Sequence, residues 1–304
     1  MSTSSAKNGA LRGELRQDEP MARHGGWRVG GPARRFFKPA DRDDLVAFLA
    51  TLDPDEELYW VGLGSNLLVR DGGIDGTVVC LQGTLDTVET LTGDRVRAEA
   101  GATSAAVARH CARAGLLGVE FLAGIPGTLG GALAMNAGAH GDEIWQRVIG
   151  IEATGRDGLV RLRNPSEYRV AYRHVAGPRG EWFLSATLQL DPGEAEEGQA
   201  RIRALLERRG ATQPTRQPSC GSVFKNPPGD FAGRLIEVAG LKGLRVGGAS
   251  VSTKHANFIV TEAGASAGDI EALIEQVRET VARLYGVELE IEVQIVGQRT
   301  GRTG

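Results

Sequence analysis

The sequence predicts an α+β fold in three units, two mixed α/β units followed by a third, and three observations carry that prediction. Helix-like and strand-like periodicities alternate between Asp41 and Leu190. An acidic stretch containing proline and glycine, Asp191 to Gly198, then interrupts them. Beyond it lies a well-patterned amphipathic helix followed by a run of period two.

Taken in order, residues 1–18 are polar, small and aperiodic, which predicts a disordered leader; residues 299–304 predict a tail of the same kind. From Asp41 a helical pattern runs through Leu45, Val46, Phe48 and Leu49 to a stop at Pro54. It feeds a strand, Leu58 to Val61, that breaks at Gly62, and a second strand follows at Thr77 to Leu81. These make a first unit at residues 19–83. Val96 to Ala100 alternates as a strand and Ser104 to Ala114 reads as a helix, ahead of a glycine-rich segment from Gly118 to Gly141. A hairpin about Gly155-Arg156-Asp157-Gly158 and a strand from Trp182 to Leu190 close a second unit at residues 84–192. The third unit, residues 193–298, opens with a helix from Gln199 to Arg209 and contains a helix near Phe231 to Ala239 and a strand near Asn257 to Thr261. Its last helix puts Ile270, Leu273, Ile274, Val277, Val281 and Leu284 on one face and stops at Gly286. Leu289, Ile291, Val293 and Ile295 then alternate with Glu288, Glu290, Glu292 and Gln294, so the polar side chains share one strand face.

Composition narrows the function. With 41% hydrophobic and 24% charged residues in 304, the chain has ordinary globular chemistry. A formal charge of −3, with scattered arginines, gives no footprint for a nucleic acid. No apolar run reaches the ~20 residues of a membrane span and no secretory signal opens the chain, so a cytoplasmic protein without membrane contact is expected. Cys80, Cys111 and Cys220 are too widely spaced for a zinc site or a disulfide framework; reduced thiols and no metal are expected. The unusual number is 43 glycines, clustered in pairs and short runs, which predicts repeated close approach of backbone to a ligand.

Four pieces of chemistry emerge. Gly62-Leu63-Gly64-Ser65-Asn66 follows a strand, where successive N–H groups form either a tight turn or a nest for a phosphate, with Ser65 and Asn66 as further donors. It lacks the third glycine of a Rossmann fingerprint, and Leu67-Leu68-Val69 continues extended. Ala123 to Ala132, with Gly124, Gly127, Gly130 and Gly131, leads into Met135-Asn136-Ala137-Gly138; it suits either a flat polar ring or pyrophosphate, or a tight helix contact. Two such loops favour one large phosphate-bearing cofactor. Pro218 to Pro227 sets Ser222, Lys225 and Asn226 in a stiff segment. With no base beside it, Ser222 is a poor nucleophile but a workable proton donor; nothing nearby activates Cys220. Tyr168-Arg169 and Tyr172-Arg173 each offer an arginine fork for a carboxylate, against the commoner reading of surface arginines. On spacing alone, Glu288, Glu290 and Glu292 form a solvated strand face.

Together these segments resemble the UDP-N-acetylenolpyruvoylglucosamine reductase family of flavin enzymes. The resemblance spans about Arg23 to Gln298 and rests on Trp27-Arg28-Val29-Gly30-Gly31-Pro32-Ala33, the Gly62 to Asn66 loop, Gly124 to Ala132, Tyr172-Arg173, Pro218 to Pro227, Lys254-His255-Ala256-Asn257-Phe258, and Leu289 to Gly297. It implies an FAD-binding region of the vanillyl-alcohol-oxidase type in two subdomains, a C-terminal substrate domain, and NADPH-dependent reduction of a UDP-sugar enolpyruvyl ether in peptidoglycan precursor synthesis, by a monomer. The short span between Tyr172 and Gln199 resembles the family's shorter subtype. FAD contacts would fall on Gly62, Gly64, Ser65, Asn66, Leu67, Gly124, Ile125, Pro126, Gly127, Gly130 and Gly131. The catalytic serine, arginine and glutamate would be Ser222, Arg173 and Glu292, with Arg169 as the alternative arginine, and Lys225 and Asn226 would lie near the nucleotide sugar. The chain departs from the family at Val175, where a serine is usual, and at Gly25-Gly26, where hydroxyl residues are usual, a change expected to loosen that turn or a flavin contact. Two rival readings are a flavin oxidase, for which His24 would be the nearest covalent tether, and a flavin-binding module without catalysis.

Overall fold

The computed structural model describes residues 11–139 and 141–300. In the first unit, β1 (Glu14–Pro20), β2 (Pro32–Lys38), α1 (Arg42–Leu49), β3 (Leu58–Val61), β4 (Leu67–Val69) and β5 (Ile74–Cys80) follow in order. The sheet runs β1-β2-β5-β3, with β2, β5 and β3 parallel and β1 antiparallel at the edge. Asp41 caps α1 by accepting the Asp44 N–H, and Leu45, Phe48 and Leu49 pack on the sheet, with Phe48 stacked on Phe37 at 3.8 Å. Pro54 lies past the helix end, as expected.

Residues 1–10 of the expected leader lie outside the described residues, but its last part is ordered. Residues 14–20 form β1, and the buried Asp44 carboxylate accepts the N–H groups of Arg12 and Gly13 at 2.7 and 2.8 Å. This strand is held by its backbone ladder and by that carboxylate. Its side chains are mostly exposed, so no apolar periodicity announces it.

The second unit is antiparallel throughout. Strands β6 (Val88–Leu91), β7 (Arg95–Glu99), β8 (Val148–Gly155), β9 (Val160–Arg163) and β12 (Glu181–Gln189) lie in the order β9-β8-β12-β7-β6. Between β9 and β12 a separate hairpin, β10 (Arg169–Ala171) and β11 (His174–Ala176), turns at Tyr172-Arg173. Helix α2 (Ser104–Arg113), capped by Thr103, and the short α3 (Leu129–Ala134), capped by Thr128, cover one face. Helix α4 (Ala195–Thr212) belongs here too: Ile202 and Leu206 pack into this core, and Gly198 lies against Ala112 and Leu117. The boundary expected at residue 193 therefore divides a packed unit, because Asp191 and Pro192 pair with Leu117 and Leu116 and α4 begins at Ala195 against the same core.

The third unit packs α5 (Ala232–Val238) and α6 (Ala267–Tyr285) on three short antiparallel strands, β13 (Arg245–Val246), β14 (Ala249–Val251) and β15 (Ile259–Thr261). Ser266 and Asp269 cap α6 reciprocally, Asp71 of the first unit accepts the Ala267 and Gly268 N–H groups, and Gly286 ends the helix at φ +68°. Buried Ile270, Leu273, Ile274, Val277 and Val281 contribute about 1.5–3 kcal/mol each by leaving water. Trp27 and Leu68 of the first unit enter this core, and the Trp27 indole N–H bonds to the Ile259 carbonyl at 2.8 Å.

The alternating run at 289–295 is not one strand. Ile291 makes a single bridge to Phe224, and only β16 (Gln294–Val296) is extended, pairing in parallel with β4. That pairing carries the third unit to the glycine loop that precedes β4.

Candidate active site

A cleft of about 570 Å³ opens where the three units meet, and most of the predicted site residues line it. From the first unit come Gly62, Gly64, Ser65, Asn66 and Leu67; from the second Gly124, Ile125, Pro126, Gly127, Gly131 and Arg173; from the third Ser222 and Glu292.

The first loop has the backbone its glycines suggested. Gly64 takes φ +59°, and a Cβ there would lie 1.8 Å from the His24 carbonyl, so no other residue fits. Gly26 packs as closely from the other side: its N–H bonds to the Gly64 carbonyl, and a Cβ would stand 2.5 Å from the Ser219 carbonyl. The glycine that departs from the family pattern thus tightens this turn and does not loosen it. Ser65 and Asn66 are less free than expected. The Ser65 hydroxyl donates to the Pro126 carbonyl at 2.6 Å, tying the two glycine loops together, while the Asn66 amide donates to the Glu292 carbonyl at 3.1 Å.

Arg173 sits at the β10–β11 turn with φ +53°. Its Nε donates to Glu292 Oε1 at 3.1 Å, Nη1 to the Asn136 carbonyl at 3.3 Å and Nη2 to the Gly138 carbonyl at 2.8 Å, with the guanidinium 4.8 Å from the Tyr172 ring. Arg169 is exposed on β10 and does not line the cleft. Burial pushes the Glu292 carboxyl above the ordinary glutamate range, and the Arg173 charge offsets part of that rise. Its side chain is only 14% exposed, so Glu292 is not on a solvated face, whereas Glu290 at 70% is.

Ser222 is fixed through its neighbour. The Val223 N–H bonds to the Asn257 carbonyl at 2.9 Å, and its carbonyl accepts the Glu292 N–H at 2.8 Å. Cys220 also lines the cleft, but its thiol is wedged against the Gly64 and Leu67 carbonyls and burial pushes its pKa to about 11, which leaves no thiolate for catalysis.

Three predicted residues do not line the cleft. Gly130 lies against Ala100, whose carbonyl accepts its N–H, so it packs the start of α3. Lys225 forms an ion pair with Glu290, and the Asn226 side chain accepts the Ala232 N–H at the start of α5. Both stand beyond Phe224, which is buried. His24 also lies outside the lining; it bonds to Glu19 at 2.8 Å and stacks on Phe36, so its ring is not poised as a flavin tether.

Sequence reasoning missed Trp60, Ser104 and Gln213 in the wall. Among the described residues, the buried side-chain polar atoms without a hydrogen-bond partner are Trp60 Nε1 and Ser104 Oγ, and both residues stand in this cleft. Gly127, at φ +151°, lies beside Ser104: a Cβ would come 3.4 Å from Ser65 Oγ and 4.0 Å from Ser104 Oγ. Orphaned buried hydroxyl and indole groups beside exposed loop backbone fit a phosphate-bearing dinucleotide such as FAD. Only the glycine pattern could have hinted at them, since a serine at a helix start ordinarily reads as a cap.

Known proteins place this geometry. Residues 33–163 match the FAD binding domain family, and residues 213–296 match the family described as UDP-N-acetylenolpyruvoylglucosamine reductase, C-terminal domain. The UDP-N-acetylenolpyruvoylglucosamine reductase of Alkalilimnicola ehrlichii is 60% identical over 94% of this chain and 96% of its own length; that of Methylococcus capsulatus is 60% identical over 94% of each. The crystal structure of the reductase from Thermus caldophilus superposes with a TM-score of 0.80 at 34% identity, covering 94% of this chain and 99% of that one. The fold is thus an α+β FAD-binding fold with a C-terminal domain. On sequence, fold and site geometry together, this chain belongs to the UDP-N-acetylenolpyruvoylglucosamine reductase family.

Proposed function

We propose that the chain carries out its family's reaction, the NADPH-dependent, FAD-mediated reduction of UDP-N-acetylglucosamine enolpyruvate to UDP-N-acetylmuramate for peptidoglycan synthesis. The observation that carries the reading is the convergence, in one cleft, of two glycine loops with Arg173, Glu292 and Ser222. FAD supplies the hydride chemistry, taking hydride from NADPH and delivering it to the enolpyruvyl double bond.

The protein's task is to hold the charge that develops on the substrate. Hydride arriving at the vinyl CH₂ pushes electron density onto the adjacent carbon and its carboxylate. Arg173 pairs with that carboxylate, and Glu292, whose proton affinity burial raises, donates a hydrogen bond from its protonated form as charge builds. Preorganised donors of this kind are worth about 3 kcal/mol each. Ser222 then protonates the carbon bearing the ether oxygen, which gives the lactyl ether. Residues 62–67, 124–128 and Gly131 would hold FAD, with the Ser104 hydroxyl and the Trp60 indole N–H as further donors. Lys225 and Asn226, in the same stiff segment as Ser222, lie near the nucleotide sugar.

Among the described residues no helix is long and apolar enough to cross a membrane. Action as a monomer in the cytoplasm is part of the proposal: the charged nucleotide sugar and NADPH do not cross a bilayer unaided. The reading is tested anaerobically. NADPH bleaches the flavin band near 450 nm (about 450 nm for an oxidised flavin), and the enolpyruvyl substrate restores it; a band that returns only with oxygen would mark an oxidase, and one that NADPH leaves intact a binding module.

A further inference from the structure

Asn136 ends α3 in a Schellman turn: it takes φ +46°, the Ala137 N–H bonds back to the Ala132 carbonyl at 2.8 Å, and its own N–H reaches the Leu133 carbonyl at 3.4 Å. It is fully buried and absent from the cleft wall, though its neighbours Met135 and Ala137 are in it. Its side chain points to other partners. Nδ2 donates to Glu143 Oε2 at 2.6 Å and to the Ala171 carbonyl at 3.2 Å, while Oδ1 accepts the Trp145 N–H at 3.4 Å. Two oxygens at one end and an N–H at the other fix the orientation of the amide.

Ala171 is the last residue of β10, two before Arg173, and the Asn136 carbonyl also accepts from the Arg173 guanidinium at 3.3 Å. One buried residue therefore grips the arginine's hairpin twice, by side chain and by main chain. The hairpin needs such a grip. Its strands are three residues each and mostly exposed, and its turn holds a non-glycine residue at positive φ.

We propose that Asn136 is the positioning residue for Arg173. By locking the 169–176 hairpin to the end of α3, it commits three of the five guanidinium N–H groups to Glu292, Asn136 and Gly138. One N–H on each terminal nitrogen remains for the substrate carboxylate. The inference rests on the role given to Arg173 above.

The test measures both anaerobic half-reactions of the FAD-loaded enzyme. Asn136→Gly keeps the positive φ and removes both side-chain donors. Substrate-driven reoxidation should slow by about 10- to 100-fold, as expected for a small displacement of a reacting group, with a weaker substrate Kd. Flavin reduction by NADPH should change by less than about 3-fold, within the scatter of remote effects. The double variant Asn136→Gly/Arg173→Ala should reoxidise no more slowly than Arg173→Ala alone. Glu143→Gln, which still offers Asn136 an acceptor, should stay near wild type, and Glu143→Ala should show a smaller slowing of reoxidation only.

Additive losses in the double variant, or equal slowing of both halves, would overturn the proposal. So would wild-type reoxidation in Asn136→Gly with a slow Arg173→Ala; in that case Arg173 keeps its role and the clamp does not. If Arg173→Ala reoxidises normally, the role of Arg173 falls and the clamp with it. Should Asn136→Gly fail to fold, Glu143→Ala decides: no selective slowing of reoxidation overturns the clamp.

Discussion

Arg173 and Glu292, 119 residues apart, meet across the cleft with Nε 3.1 Å from Oε1, the arginine from a hairpin of the second unit and the glutamate from the third. Each side chain is more than four-fifths shielded from solvent. The pair thus closes the site between two units and leaves part of each group to act on a substrate.

Arg173→Ala should therefore slow substrate-driven flavin reoxidation by ~10²-fold, the loss expected when one preorganised charge-stabilising donor is removed. Arg173→Lys should recover little of it, because a single ammonium cannot serve Glu292, two carbonyls and a carboxylate at once. Arg169→Ala, changing an exposed side chain, should match wild type in stopped-flow reoxidation; the opposite ranking would move the catalytic role to Arg169.

The pH dependence follows from Glu292. Its pKa is raised by burial, so the folded protein holds the proton at pH values where a free glutamate has lost it. Reoxidation should be fastest below that raised pKa and fall as pH rises through it. Stability has the same sign: the contribution of Glu292 is fully present below the ordinary glutamate pKa and is lost as pH rises through the folded value. Glu292→Gln, which keeps a donor but cannot ionise, should flatten that limb of the rate profile; an unchanged limb would assign it to another group.

Ser104→Ala separates a ligand contact from a structural one. Its hydroxyl has no protein partner, so the apoprotein should melt at the same temperature or slightly higher. FAD should bind about 10- to 100-fold more weakly, in line with a lost hydrogen bond to a charged group of about 1.5–3 kcal/mol. Fluorescence titration with FAD reads this directly. Lower apoprotein stability with unchanged FAD affinity would make the serine structural.

Glu152 gives a test of the scaffold away from the site. Burial opposes its ionisation, but hydrogen bonds from Arg42, Ser185 and Arg97 hold its pKa down to about 2. A depressed pKa stabilises above the unfolded value of about 4.3, and that stability is lost as pH falls toward 2. With its side chain 22% exposed, solvent screening brings the amount to about 1–2 kcal/mol. Denaturant melts of Glu152→Gln should show that loss at pH 7 and a smaller gap to wild type near pH 3 (about one unit above the depressed pKa).

The legible parts of the fold were those in which side-chain periodicity reports burial. Helix α6 was visible because its buried stripe and its glycine stop are both written in residue type, and α1 because its buried stripe is. Strand β1 was not, because it is held by backbone pairing and by Asp44, interactions that leave no apolar pattern. Nor could the sequence say which core takes Ile202, since an apolar face does not name its partner. At the site, the glycine loops and Ser222 announced themselves by composition. Glu292 looked like one of a solvated row, because its partner Arg173 is 119 residues away in the chain. Lys225 and Asn226 were legible as polar residues near the site, but not as residues spent on Glu290 and α5.

The central claim is that Ser222 delivers the proton after hydride transfer, and anaerobic stopped-flow on Ser222→Ala tests it most directly. The account predicts that NADPH bleaches the flavin at close to the wild-type rate and that the enolpyruvyl substrate restores the band ~10²-fold or more slowly, the range of lost general acid catalysis. Equal slowing of both halves, or reoxidation at the wild-type rate, would contradict it.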